Sequence, residues 1–431
     1  MNDQLKTQLP KSVVGWFDAF FGLGIILTLF FTLRVVAMSD HVFSILLVAG
    51  LALVIGAIEI ARAPWRGLPP SQASSNVILS RAAFKLLGFI VTLAVIGFLY
   101  WLFPEYHRTY YRSFFESVGI VLPWFILLAI PYFVYVEWRL PKEEGGMWNT
   151  ALFATARWSE VDWSCLRQHA LGWLVKAFFL PIMFGDIVNN IGALRVANWD
   201  LASLDFVPVF TLLFDSLILL ELVFVSAGYV FTCRLFDSHI RRVEDTLFGW
   251  TVALISYTPF LGLFYVRYFN YSADNIDWLV WLGANPKLVV AWGSAILVLL
   301  FLHLWSDACF GLRFSNLTNR GIITNGPFRF CKHPAYLIKN LRWWLVSVPF
   351  IALDPVEGLR LSLLLVCVNM LYTVRGYTEE KLLSRDPTYV AYAKWMEDHS
   401  LLRFLKRIPI FSYEWRLARW QRMWPDVYPG V

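Results

Sequence analysis

The chain has 431 residues, of which 58% are hydrophobic and only 16% charged, with a mean hydropathy of +0.56. Soluble domains carry about 25% charged residues, so a soluble globular fold is excluded and an integral membrane protein is expected. The net charge of +6 lies in short segments flanking apolar runs, which fits membrane-surface loops and not nucleic acid.

A helix needs about 20 apolar residues to cross a bilayer. Candidate spans fall at 13–37, 42–60, 82–103, 114–138, 168–190, 204–233, 247–266, 285–305, 341–353 and 356–375, about ten in all. The ninth is short and is parted from the tenth by Asp354-Pro355, so it reads as tilted or re-entrant. The expected fold class is an all-α, polytopic membrane bundle. Residues 1–12 are polar and the apolar run from Val13 is too long for a signal-peptide core, so no cleavable leader is expected.

Lys and Arg concentrate in alternate loops. Arg62, Arg66, Arg81 and Lys85 lie between spans two and three; Arg139, Lys142, Arg157 and Arg167 follow span four. Arg234, Arg241 and Arg242 follow span six, and Arg313, Arg320, Arg329, Lys332 and Lys339 follow span eight. The positive-inside rule then puts both termini and the 311–340 segment in the cytoplasm. The lack of a transit or signal segment points to a bacterial inner membrane. Near-helical spacing of Tyr389, Tyr392, Trp395 and Met396 predicts an amphipathic interfacial helix within 387–407, and the aromatic, basic stretch 411–431 is expected in the headgroup layer.

Several chemistries find no support. The five cysteines form no CxxC pair, and His239 and His303 have no partner at HxxE or HxxxH spacing, so no metal site is expected. Gly22-Leu23-Gly24 lacks a third glycine and there is no Walker loop, so any nucleotide cofactor must sit in a non-Rossmann site.

Two features point to function. Glu59, Glu137, Lys176, Asp186, Asp215 and Glu221 fall inside predicted spans, where an ionisable group is costly unless paired or facing a polar path. Asp186, Asp215 and Glu221 lie deepest and are candidate substrate-binding residues. The other feature is the polar stretch from Arg320 to Tyr336. Asn325-Gly326-Pro327 is a turn and His333-Pro334 breaks any preceding helix, leaving backbone N–H groups between a basic rim and aromatic faces. Glu379-Glu380 ends the last span on the same side of the membrane, where a carboxylate pair suits a ribose diol or an ammonium group.

Taken together, Thr324-x-Gly326-Pro327-Phe328-Arg329, Lys332-His333-Pro334-x-Tyr336, an apolar hairpin, Glu379-Glu380-x-x-Leu383 and Asp386-Pro387-x-Tyr389-x-x-Tyr392 resemble the isoprenylcysteine carboxyl methyltransferase / phospholipid methyltransferase superfamily over residues 311–400. The resemblance implies a membrane-embedded S-adenosylmethionine site and a lipid or lipid-linked acceptor entering from the bilayer. It carries the cofactor role to Thr324, Gly326, Phe328, Lys332, His333, Pro334, Tyr336, Glu379 and Glu380. Lys332 stands where the family usually has Arg, and Phe328 where it has Tyr. Arg342 and Arg375 are placed to orient an anionic acceptor. A carboxylate acceptor needs no base; an amine or hydroxyl needs one, which the sequence does not single out.

The expected division is an amino-terminal bundle over 1–305 conferring acceptor specificity, a methyltransferase-like core over 306–408, and an interfacial tail over 409–431. Two other classes stay open at this point. One is an NADPH-dependent, sterol-reductase-like enzyme, suggested by Arg385-Asp386 with Tyr389 and Tyr392. The other is a non-enzymatic transporter or assembly factor, suggested by the acids within the spans.

Overall fold

The computed structural model describes residues 8–140 and 142–428. The start of the polar amino-terminal stretch and the last three residues of the tail lie outside this range. The helices are α1 (Asp18–Leu33), α2 (Asp40–Arg62), α3 (Ser75–Leu102), α4 (Thr109–Arg139), α5 (Gly146–Ala154), α6 (Trp163–Val196), α7 (Phe206–Val230), α8 (Leu247–Leu254), α9 (Phe260–Tyr268), α10 (Trp278–Leu282), α11 (Pro286–Ala308), α12 (Pro334–Ser347), α13 (Pro355–Leu383), α14 (Pro387–His399) and α15 (Tyr413–Met423).

Seven of these are long and apolar enough to cross a membrane: α2, α3, α4, α6, α7, α11 and α13. The other three expected spans are shorter for identifiable reasons. The first yields only the 16 residues of α1. The seventh breaks into α8 and α9 around Thr258-Pro259, because proline lacks an N–H and pushes the residue before it out of the helical region. The ninth starts earlier than expected, at Pro334, and ends at Val348, which is in the left-handed region with φ +35°. Asp354 then caps α13 by accepting from Val356 N at 3.0 Å.

The main core joins α1, α2, α6, α7 and the end of α11, with Leu47, Leu51, Ile55 and Phe224 fully buried. Acids within the spans are largely used here as interhelical ties. Glu137 of α4 pairs with Lys85 and, at 2.7 Å, with Arg81 of α3. Glu59 of α2 lies 2.7 Å from Arg313.

The segment after α11 is anchored from three sides. A short antiparallel pair joins β1 (Arg242–Val243) to β2 (Thr318–Asn319). Arg320 is 2% exposed and donates to the carbonyls of Ser238, Gly228, Phe314 and Leu312 at 2.6–2.8 Å. Burial, with the Arg313 charge nearby, pulls it down to about 9, so it stays charged at neutral pH. The amino-terminal strap closes the third side: Val13 N donates to Ile322 O at 3.2 Å and Asn325 Nδ2 to Val14 O at 2.7 Å.

The carboxyl-terminal tail departs from the interfacial expectation. Tyr389, Tyr392 and Met396 of α14 pack on Tyr413, Leu417 and Trp420 of α15, with Ile322 between them. Glu397 fixes the start of α15, accepting from Tyr413 N at 2.9 Å and Glu414 N at 3.0 Å. The apolar stripe read as a lipid contact is a protein contact.

Candidate functional site

Glu379 and Glu380 sit at the end of α13, and successive helical residues point about 100° apart. The two carboxylates therefore have different surroundings. Glu380 is 3% exposed. Its Oε1 lies 2.9 Å from Lys332 Nζ and 3.2 Å from His333 Nε2, and its Oε2 lies 2.5 Å from Arg416 Nη2. Three basic side chains saturate it. Glu379 keeps 30% of its side chain exposed; it accepts a hydrogen bond from the Tyr336 hydroxyl and faces His333 Nδ1 at 3.6 Å.

His333 stands immediately before α12, three residues ahead of Tyr336, and the two rings stack at 5.7 Å and 6°. A Cβ at Gly376 would lie 3.3 Å from the His333 ring, so glycine there lets the imidazole approach α13. Burial opposes a charge on His333, but the Glu379 carboxylate 3.6 Å away and the hydrogen bond to Glu380, with the negative charge of both, prevail. Its pKa is raised above the ordinary imidazole value.

One turn before Glu379, Arg375 is 3% exposed. Its guanidinium lies 5.5, 5.1 and 5.0 Å over the rings of Tyr257, Tyr336 and Tyr372. Nη2 donates to Asn316 Oδ1 at 3.2 Å, while Nη1 has no hydrogen-bond partner among the described residues. Arg375 thus serves an aromatic cage and does not form the surface ion pair with Glu379 that their spacing allows.

Residues 285–385 match the isoprenylcysteine carboxyl methyltransferase (ICMT) family. No curated protein and no solved structure matches the chain. The matched region is of the membrane methyltransferase kind, and with seven membrane-length helices the chain is an integral membrane protein. The match takes in α11, most of which the sequence reading assigned to the amino-terminal bundle, and it stops before α14.

Within the matched region the structure gathers Lys332, His333, Tyr336, Glu379 and Glu380. The other four residues of the motif, Thr324, Gly326, Phe328 and Pro334, have structural partners or positions of their own. Thr324 is 2% exposed and donates to Pro10 O at 2.7 Å, so its hydroxyl holds the amino-terminal strap. Gly326, at φ +55°, starts a 3-10 turn, and a Cβ there would lie 2.5 Å from Cys309 Sγ. That turn buries Phe328 in the main core against Phe310, at 5.2 Å, and not as a stacking face for a ligand. Pro334 is the first residue of α12. Lys332 turns inward to Glu380, with its ammonium 5.1 Å over Tyr413. Arg416, outside both the motif and the match, escaped the sequence reading because no local pattern marks it.

The acids expected to line a path do not come together. Asp186 accepts from the Tyr110 hydroxyl at 3.0 Å, and Asp215 is exposed on α7, not deep in the bundle. Glu221 instead joins His303 and Asp307 of α11, with all ligand atoms within 4.8 Å of one another. The His303/Asp307 spacing of four was readable on α11, but Glu221 comes from another helix. Lys339 and Arg342 of α12 lie within electrostatic reach of both carboxylates. Tyr372 links this cluster to the first: Lys339 Nζ lies 5.5 Å over its ring, and its ring centre is 5.5 Å from that of Tyr336.

Proposed function

We propose that the protein transfers a methyl group from S-adenosylmethionine to a lipid or lipid-linked acceptor at the cytoplasmic membrane face. The observation that carries the reading is the pairing of an open carboxylate, Glu379, with a buried guanidinium nitrogen, Arg375 Nη1, that lacks a partner among the described residues, around one tyrosine ring. Buried donors are rarely left unmade, since each costs about 1–3 kcal/mol. A ligand bearing a carboxylate, an ammonium group and a ribose diol meets this set.

Glu379 would hold the diol or ammonium, Arg375 the carboxylate, and the stacked His333 and Tyr336 rings an adenine or sulfonium edge. When bound, the cofactor supplies an already activated methyl group, so the chain's own task is alignment and exclusion of water. Glu380, Lys332 and Arg416 hold the wall in place. The residues before about 306 would confer acceptor specificity, with both termini in the cytoplasm of a bacterial inner-membrane protein, as the basic loops favour.

Calorimetry on the detergent-purified protein with S-adenosylmethionine, S-adenosylhomocysteine and NADPH tests this. Both adenosyl compounds are expected to bind to the wild type and not to Glu379→Gln. Binding of NADPH alone would assign the protein to reductive chemistry instead.

A further inference from the structure

We propose that residues 401–411 form a docking patch that seats the carboxyl-terminal tail on anionic lipid headgroups, on the side of the membrane where α13 ends. The patch is independent of the methyl-transfer reading: it gives the tail a lipid partner whatever the site binds.

The patch is the link between α14 and α15. The chain leaves α14 at Ser400, which is extended, and makes one 3-10 turn over Arg403–Arg407. Pro409 keeps Ile408 extended and stops the turn from growing into a helix. The two flanking helices spend their apolar stripes on each other, so the link between them stays uncovered. Leu401, Phe404, Ile408, Ile410 and Phe411 are 42–68% exposed. Scattered apolar side chains on a surface are ordinary, but a run of large ones marks a contact surface.

Charge selects what the surface meets. Arg403, Lys406 and Arg407 interrupt the apolar run, and residues 401–411 contain no acid. Lys406 is paired with Asp398 at 2.6 Å, whereas the guanidiniums of Arg403 and Arg407 form no ion pair among the described residues. Apolar side chains set among unpaired cations suit a headgroup layer, where the first enter the acyl boundary and the second meet phosphates. A purely apolar groove on a protein would leave the two arginines unmatched.

The height of the patch is fixed by its ties. Leu401 N donates to Phe330 O at 2.9 Å, and Phe330, itself 55% exposed, stands just before α12, the first helix of the α12–α13 hairpin. Farther along the tail, the Tyr428 hydroxyl donates to Lys381 O at 2.9 Å, and Lys381 Nζ lies 4.0 Å over Trp424, in the last turn of membrane-length α13. The tail is thus fastened where the hairpin meets the membrane surface. The patch is also coupled inward. Glu397 of α14 accepts from the Ser412 hydroxyl at 2.7 Å and from Tyr413 N, which holds the far end of the patch, and one helical turn later Arg416 reaches Glu380. Seating the patch on lipid therefore restrains the arginine that completes the Glu380 cluster.

The test uses the full-length protein in nanodiscs of phosphatidylcholine, either alone or equimolar with phosphatidylglycerol. The photoreactive p-benzoylphenylalanine replaces Phe404, an exposed side chain outside the packed clusters. Irradiation is expected to join this position to lipid. In the mixed discs phosphatidylglycerol should be favoured roughly fivefold or more, the ratio that one basic residue near an anionic surface supplies. Arg403→Gln with Arg407→Gln, both at exposed positions, should bring the ratio close to one. Without the photoreactive group, the unfolding midpoint should be higher in the mixed discs than in phosphatidylcholine, and the double variant should lose that difference. Absence of a lipid adduct in both discs, or an adduct to a copurifying protein in its place, overturns the proposal. Equal yields with the two lipids overturn it as well, because the patch would then not select anionic headgroups. A midpoint that is the same in both discs, or a difference that the double variant keeps, overturns the restraint on Arg416.

Discussion

Arg416 of α15 meets Glu380 of α13 with Nη2 2.5 Å from Oε2, both side chains being at least nine-tenths buried. A tail outside the family match therefore completes the wall of the candidate cofactor site. Breaking a buried pair by removing one partner costs about 3–5 kcal/mol, and here the loss is at or below that, because Lys332 and His333 remain on Glu380. Arg416→Ala is expected to lower the midpoint of thermal unfolding in detergent, and Arg416→Lys to restore part of it. Equal midpoints for all three proteins would show that the tail does not support the site.

The neighbouring carboxylates are expected to separate stability from binding. Glu380→Gln removes the shared partner of three basic groups and should destabilise the protein. Glu379→Gln changes a half-open group and should leave the unfolding midpoint within about a degree while abolishing adenosyl binding. The same pair of measurements on both variants decides it; a reversed pattern would exchange the roles assigned here.

His333 sets a pH dependence with a definite sign. Its pKa is raised in the folded protein, so its stabilising contribution is complete below the ordinary imidazole value of 6.5 and is lost as pH rises through the raised value. The stability difference between wild type and His333→Gln should be largest near pH 6 and shrink on the alkaline side. A difference that grows with pH would contradict the carboxylate contacts. In Glu380→Gln the imidazole signal should titrate at lower pH by NMR.

Gly326 combines a left-handed φ of +55° with a Cβ position 2.5 Å from Cys309 Sγ. Gly326→Ala is expected to cost about 1–3 kcal/mol from the backbone alone, plus the collision. Adding Cys309→Ala should recover the collision part and not the backbone part, which chemical denaturation of the single and double variants will separate.

Arg375 touches three tyrosine rings and Asn316, a fit that depends on a flat guanidinium. Arg375→Lys keeps the charge and loses the plane. With a charge-assisted hydrogen bond worth about 1.5–3 kcal/mol, affinity for S-adenosylmethionine should fall roughly 10- to 100-fold. Retained affinity would place the cofactor carboxylate elsewhere.

The membrane character, the helical fold class and the spans that became α2, α3, α4, α6, α7, α11 and α13 were legible in the sequence, because hydropathy over 20 residues is a local property and lipid admits few alternatives. The motif segment was legible too, since His333-Pro334, Tyr336 and Glu379-Glu380 are set by short spacings. What those residues touch was not. Glu379 and Glu380 are adjacent in sequence, yet one is saturated by Lys332, His333 and Arg416 while the other stays open. Phe328, aromatic among motif residues, packs in the core, and Asp215, central in an apolar run, is exposed. His303 had no partner at the spacings searched and found Glu221 82 residues away. Hydropathy determines which segments enter the membrane. Which faces of those helices meet is decided by packing between segments distant in sequence, and that packing sets the partner of every buried charge.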